Sequence, residues 1–514
     1  MSAATSVARS AARRSAVVPR YVRAHREWWP LWGLMAVSFA VYSIFSIERH
    51  QQFGTAGYDL GIFDQAVRAY SHFQAPIVPL KGVGYNIFGD HFHPIIALGA
   101  PFYWIWDDPR TLLLIQAGLI SVSIPVIYRF AHRRVSASAS LVLAYVYAFG
   151  WGLQTMANFN FHEVAWGVPI LALALDALDR RDDRQLLIFA GLLLLTREDM
   201  GLIVALLGAL VLLQRRGARR VGFTMIGVGL VIYWLTTSIV IPHFAAGHEF
   251  AYGSQFGELG DSITEATVNI ITHPWHAVAV FFTPWIKART LAWLIVPFAL
   301  IPFRSRYAVL ALPLFAERFF NSRHNLWTAT FHYNALPWLI MTMAMIDGAH
   351  RLGLFDADRR AMMLRRGLAT LLVVTPLLLI VIGTHVRVLP ITKLRQPYAH
   401  QPAGWEASAK AVVAWLPHDV CVAADNHLVP HLTGRDYTSV PQANTPDPDF
   451  IALDMFAPDT GGNPPAPTPS VVYAQAITDH YTVVFRSGTF VVLQSPNYAG
   501  PSTACKPLGS GKTP

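Results

Sequence analysis

Charge is scarce in this chain. Asp, Glu, Lys and Arg make up 14% of its 514 residues, against roughly 25% in soluble globular proteins. That shortfall excludes an ordinary water-exposed surface, and with 53% hydrophobic side chains the bilayer is the expected solvent. Cysteine is nearly missing. Cys421 and Cys505 both fall near the C-terminus, without metal-ligand neighbours at zinc-site spacing, which excludes a zinc module there. The two are compatible with a disulfide if that part is extracytoplasmic, or with free thiols if it is not. No Gly-rich phosphate loop is present, so a nucleotide cradle is not expected. Internal repeats are absent, and no small-residue cleavage site follows the basic N-terminus; the first apolar run therefore reads as a retained span and not as a signal peptide. The net charge of +9 does not imply nucleic acid, because the basic residues sit in short clusters between apolar runs, as in cytoplasmic loops.

What is present predicts an α-helical polytopic membrane protein of about 11 transmembrane helices with a small C-terminal extracytoplasmic α/β domain. Residues 1–29 read as a basic cytoplasmic tail, 30–387 as the transmembrane domain, 388–495 as the α/β domain and 496–514 as a disordered tail. Spans are expected at 30–47, 111–130, 137–156, 164–178, 185–196, 200–213, 221–242, 289–303, 307–320, 335–347 and 367–386. The apolar segment 93–106 is short for a crossing and is assigned to the outer interface. With that choice Arg133, Arg180, Arg215, Arg304 and the loop 348–366 all fall on the cytoplasmic side with the N-terminus. In the C-terminal part helices are expected at 404–416 and 470–478, strands at 419–424 and 450–454, and a hairpin of 482–486 with 489–493.

This topology gathers the polar stretches on one outer face. Asp59 and Asp64 would stand roughly 140° apart on one helix, so they are not a face-sharing pair. Either could act as general base with a pKa raised by partial desolvation, or cap the following helix or form an ion pair. Asp90, His91 and His93 could hold a divalent metal or contact substrate, or belong to a purely structural loop; the spacing of the two histidines suits extended chain. His162, Glu163, Arg197, Glu198, Arg318, His332 and Tyr333 are the other candidate substrate contacts. Arg197 suits a phosphate in bidentate fashion, unless Glu198 or Asp199 pairs with it. Tyr252, Phe256, Trp275, Phe281, Phe282 and Trp285 read as interfacial anchors more than as a lid.

The motifs YDLGIFDQA, GDHFHPII, NFHE and TRED resemble a bacterial family of polytopic membrane proteins of unknown function, grouped with the GT-C glycosyltransferases, over about residues 30–345. That resemblance implies a GT-C-like transmembrane domain in the bacterial plasma membrane, with a polyprenyl-phosphate sugar as donor. It also implies membrane lipid as a partner, a glycan, lipid or protein as acceptor, and no nucleic acid. By position Asp59 is similar to the catalytic acid of such enzymes, and Asp64 is second. Leu60 follows Asp59 where many relatives have a second acid. His93-Pro94 is similar to the Lys/His-Pro-Pro-Leu step of some of them, with Ile95 in place of the second proline. The expected function is sugar transfer to an extracytoplasmic acceptor, with Asp59 as general base and Arg197 or Arg318 holding the lipid phosphate. Two alternatives are a transporter or lipid-handling protein, which would carry polar residues deep within several spans, and a non-catalytic membrane protein with an outer ligand-binding domain.

Overall fold

The computed structural model describes residues 28–354, 404–442, 447–461 and 466–506. Helices occur on every apolar run expected within them. Trp29–Gln51, Arg110–His132 and Arg219–Phe244 are long and apolar enough to cross a membrane, and Pro274–Phe282 with Trp285–Phe298, bent by 79°, makes a fourth if counted as one span. Ala137–Ala148, Val164–Arg180, Asp183–Leu193, Met200–Gln214, Ala311–Phe319 and Ala335–Arg351 are shorter. The described residues thus hold three or four full-length spans where 11 were expected in the whole chain, because several runs are interrupted. The run 137–156 breaks at Gly150, whose extended backbone lets Trp338 pack so closely that a Cβ would lie 2.1 Å from its ring. Pro297, Pro302 and the left-handed Ala299 and Leu300 break the run 289–303. The expected span 367–386 lies outside the described residues.

Three of these helices, Arg110–His132, Val164–Arg180 and Ala335–Arg351, begin among the polar loops of the candidate site and end in a cluster of ion pairs. Asp176, fully buried, meets Arg129 at 2.5 Å, Arg133 at 2.7 Å and Arg180 at 2.9 Å. Asp179 pairs with Arg133 and Arg134 and accepts from the Tyr307 hydroxyl; Asp347 pairs with Arg351 and accepts from Ser305. The arginines expected as solvated loop charges are therefore largely neutralised by buried carboxylates, and they sit at helix C-termini, where the helix dipole favours cations. Along helix Val164–Arg180 the stretch from Val164 to Asp176 separates this cluster from the site by about 18 Å.

The C-terminal part is a five-stranded sheet: β1 Cys421–Ala424, β2 Tyr437–Ser439, β3 Phe450–Asp454, β4 Thr482–Ser487 and β5 Phe490–Gln494, in the order β2-β1-β3-β5-β4. β1 pairs parallel with β2 and β3, while β5 runs antiparallel to β3 and β4. Helices Trp405–Trp415 and Pro469–Thr478 accompany it. The elements fall where the alternation and turn residues place them, except β2, which is too short to show a period. Residues 496–506, expected within a disordered tail, are instead tied down. Cys505 is disulfide-bonded to Cys421, and the Ser502 N–H donates to the Asp419 carbonyl at 2.9 Å.

Candidate functional site

Asp59 lies in the short irregular turn Gly57–Gly61 that leads into helix Ile62–Ser71. Its side chain is 26% exposed, and the His162 imidazole stands beside it, with Nε2 4.0 Å from Oδ2. Burial raises its carboxyl above the usual range; His162 and Lys81 oppose that rise, and Glu163 and Asp90 add to it. Asp64, the second candidate, is elsewhere. It is fully buried, accepts two hydrogen bonds from Arg68 at 3.1 Å and one from the Tyr103 hydroxyl at 2.7 Å, and is an ion-pair residue of the core. Neither aspartate is a hydrogen-bonding helix cap.

Behind Asp59 the NFHE loop enters helix Val164–Arg180. His162 stacks on His332, ring centroids 3.5 Å apart, and its Nδ1 lies 2.5 Å from Glu163 without hydrogen-bond alignment. Glu163 is fully buried and neither oxygen is hydrogen-bonded. Burial alone would raise its pKa, yet His162, His93 and Arg197 draw it down to about 2. His332, 2% exposed, has no hydrogen-bond partner on either ring nitrogen, and burial pushes its pKa well below the usual value. Burial likewise lowers His93 to about 4. The three rings and Asp59 form a compact acid–base group that is anionic at Glu163.

The GDHFHP segment is held by specific partners. Asp90 pairs with Lys81 at 3.1 Å and accepts from the Tyr252 hydroxyl at 2.6 Å. Burial works against its charge, but Lys81, His91 and the Tyr252 hydrogen bond hold the carboxyl well below the usual range. His91 contacts Glu198 at 2.7 Å and stacks on Tyr252 at 4.4 Å. Burial would lower its pKa, but Glu198 raises it to about 9, so the ring is imidazolium at neutral pH. These partners leave little for a metal. Among the described residues the only group of three ligands whose atoms lie within 4.8 Å of one another is Cys421, Asp449 and Cys505, and there the sulfurs are already bonded to each other. The donor set Asp90, His91 and His93 does not fit a preformed metal site.

A cavity of about 250 Å³ opens beside this segment. Its lining combines polar and charged side chains, His91, Arg197, Glu198, Glu317, Arg323 and Tyr333, with the apolar Leu202, Phe250, Phe256, Ile263, Ile270 and Phe320. Tyr252 and Phe256, read from the sequence as membrane anchors, are part of this lining, whereas Trp275 and Trp285 are 84% and 74% exposed. Arg197 is not available as a lone cation: Asp199 takes it in bidentate fashion at 2.7 and 2.6 Å, and Glu317 adds a contact at 3.1 Å. Arg318 is buried and donates to Leu326, Thr328 and Asn334, all neutral acceptors, and with His332 it lines a smaller adjoining cavity. Arg323 is the guanidinium of the cavity with no carboxylate partner among the described residues; it lies 5.6 Å over the Tyr252 ring. Sequence reasoning missed Lys81 altogether, although it is one of two Lys or Arg residues between Tyr58 and Pro94, with Arg68.

A helical bundle with spans long and apolar enough for a bilayer, a charged cavity at one end and a small sheet domain beside it defines a membrane protein. The chain belongs to the family described as predicted membrane protein (DUF2079), which it matches over residues 49–472. No curated protein matches it. Among solved structures it is similar to ArnT from Cupriavidus metallidurans, crystallised bound to undecaprenyl phosphate, with 14% identity and a TM-score of 0.52 over 91% of this chain and 98% of that one. The two share a fold.

Proposed function

We propose that this protein is a membrane glycosyltransferase of GT-C type that moves a sugar from a polyprenyl-phosphate donor to an extracytoplasmic acceptor. The observation that carries the reading is a cavity lined by the basic His91 and Arg323 and the Tyr333 hydroxyl together with the apolar Phe250, Phe256 and Ile263, in a fold shared with a protein crystallised with undecaprenyl phosphate. A lipid phosphate needs such a pairing of cationic groups with an apolar wall. In this reading Asp59 accepts the proton of the acceptor hydroxyl as its oxygen bonds to the anomeric carbon. The bond from that carbon to the phosphate oxygen breaks, and the polyprenyl phosphate leaves with the electron pair. Arg323 and the His91 imidazolium steady the developing phosphate charge. Arg197 braces the wall through Asp199 and Glu317, a change from its expected role as phosphate ligand. In this reading the arginine-rich cluster at Asp176 and Asp179 faces the cytoplasm, as the positive-inside rule favours, with the site, the disulfide and the sheet domain outside and the N-terminus inside. Leu98, Trp104 and Ile105, 51%, 61% and 85% exposed, then lie in the outer interface.

The test is sugar transfer by the purified full-length protein with a panel of polyprenyl-phosphate sugars. Asp59→Asn should lower kcat by about a hundredfold or more while leaving lipid binding intact. Arg323→Ala should weaken binding of the unglycosylated polyprenyl phosphate by about tenfold, the loss expected for a charge-assisted contact. Wild-type turnover by Asp59→Asn refutes the general base. Lipid binding without transfer of any sugar favours a lipid-handling protein instead.

A further inference from the structure

The sheet domain reaches into the turn that carries Asp59. The Asn426 backbone carbonyl accepts the Gly57 N–H at 2.7 Å, and its side-chain Oδ1 accepts the Tyr58 N–H at 2.9 Å. One residue, 368 positions downstream of Tyr58, thus holds both amides that precede Asp59. Asn426 is itself fixed. It lies two residues beyond the end of β1; the intervening Asp425 N–H donates to the Ala452 carbonyl at 2.8 Å, and the Asp425 carboxylate accepts the His427 N–H at 2.9 Å. Gly461 packs against it so closely that a Cβ there would lie 2.3 Å from the Asn426 Cβ.

Val429, one helical turn on, completes the clamp. A Cβ at Gly57 would lie 2.7 Å from Val429 Cγ1, and one at Gly61 would lie 3.0 Å from the same atom. Gly57 is therefore explained by the approach of the sheet domain, and Gly61 by Leu80, whose Cδ1 would lie 2.8 Å from an added Cβ, together with Val429. On the far side the Tyr58 hydroxyl donates to the Leu80 carbonyl at 3.0 Å, which Gln442 also reaches at 3.3 Å, and Gln65 donates to Thr438 at 2.8 Å. The sheet domain thus meets the turn itself at Asn426 and Val429, and the chain beside it at Leu80 and Gln65.

We propose that Asn426 is a positioning residue for Asp59 and that the sheet domain serves the membrane site by holding this turn; the proposal rests on the reading of Asp59 as general base. A base must be held within a fraction of an ångström of its working geometry, and a displacement of about 1 Å lowers turnover by about a hundredfold. The alanine variant keeps the backbone contact to Gly57 and loses the acceptor for Tyr58. The aspartate variant keeps that acceptor and brings a second negative charge near Asp59.

The experiment compares full-length wild type, Asn426→Ala, Asn426→Asp and Asp59→Asn with the polyprenyl-phosphate sugar that wild type turns over, together with amide hydrogen exchange across residues 56–61. Asn426→Ala should exchange faster in that segment and lose at least about tenfold in kcat, with KM for the lipid donor unchanged. Asn426→Asp should restore kcat and move its acid limb to higher pH, because the added carboxylate raises the Asp59 pKa, a shift that a purely structural role would not produce. Wild-type kcat in Asn426→Ala, or a loss that Asn426→Asp does not restore, overturns the proposal. If Asp59→Asn keeps wild-type turnover, it is the base that fails, and hydrogen exchange alone decides the clamp: unchanged exchange in Asn426→Ala overturns it. Because Asn426→Ala could misfold, Gly57→Ala with and without Val429→Ala gives a second arm. The single variant should lose kcat and the double should recover part of it, whereas no difference between the two overturns the packing argument.

Discussion

Replacing Asp64 by Asn separates the two aspartates of the YDLGIFD motif by their physics. Asp64 is fully buried and receives the Arg68 guanidinium on both oxygens at 3.1 Å and the Tyr103 hydroxyl at 2.7 Å. Arg68 is itself 1% exposed. Its other partner, Asp107, has a side chain 49% exposed, so water screens that second pair. Removing one member of a buried ion pair costs roughly 3–5 kcal/mol, mostly from the charge left without compensation. Asp107 and the remaining amide oxygen retain part of the interaction, which puts the expected loss near 3 kcal/mol. That corresponds to roughly a hundredfold in the folding equilibrium. The assay is the rate at which detergent-solubilised protein loses its folded fluorescence at a fixed temperature, paired with turnover per folded molecule. Asp64→Asn should unfold many-fold faster and keep its turnover, because Asp64 is fully buried with its oxygens taken by Arg68 and Tyr103, whereas the Asp59 side chain is 26% exposed. Asp59→Asn should do the reverse. A stable Asp64→Asn, or one that folds normally and is inactive, refutes the assignment of Asp64 to the core.

Three further outcomes follow from the same geometry. His162→Gln removes an imidazole 4.0 Å from Asp59 that opposes the upward shift of the Asp59 pKa; the base then protonates more readily, and the acid limb of the kcat profile should move to higher pH, while an unmoved limb would separate His162 from the base. The His91 pKa rises from 6.5 to about 9 beside Glu198, so its stabilisation is full below about 6.5 and is lost as pH rises through 9. Wild type should therefore melt at lower temperature at pH 9.5 than at pH 7, and His91→Gln should show a smaller difference; equal differences would remove the pair from the account. Serine at both Cys421 and Cys505, which are 84 residues apart, should destabilise the sheet domain by about 2–5 kcal/mol, read as faster proteolysis near residue 500, and thiols labelled without reductant in the native protein would contradict the disulfide.

Much of this architecture is legible in the sequence because it depends on local period: apolar runs become helices, and the alternation before and after Ser487-Gly488 becomes the β4–β5 hairpin. The motifs were also legible as a group, since the loops bearing His91, Glu198 and Tyr333 do meet at one cavity. What failed has physical causes. The number of full-length spans depends on where a helix stops: the break at Gly150 accompanies the close approach of Trp338, and the one at Ala299 and Leu300 lies between Pro297 and Pro302, inside a run otherwise apolar enough to read as continuous. Asp64 and Arg68 stand four apart, the helix ion-pair spacing, so that partnership was readable and outweighs a catalytic reading once the pair is buried. Arg197 is different: Asp199 is its near neighbour, but Glu317 lies 120 residues away, and local spacing carries no trace of it. The same holds more strongly for Asn426, whose contact with Tyr58 spans most of the chain. Glycines 57 and 61 show only that something approaches closely there. That it is the sheet domain, and that its approach restrains the turn holding Asp59, follows only when both ends of the chain are seen packed together.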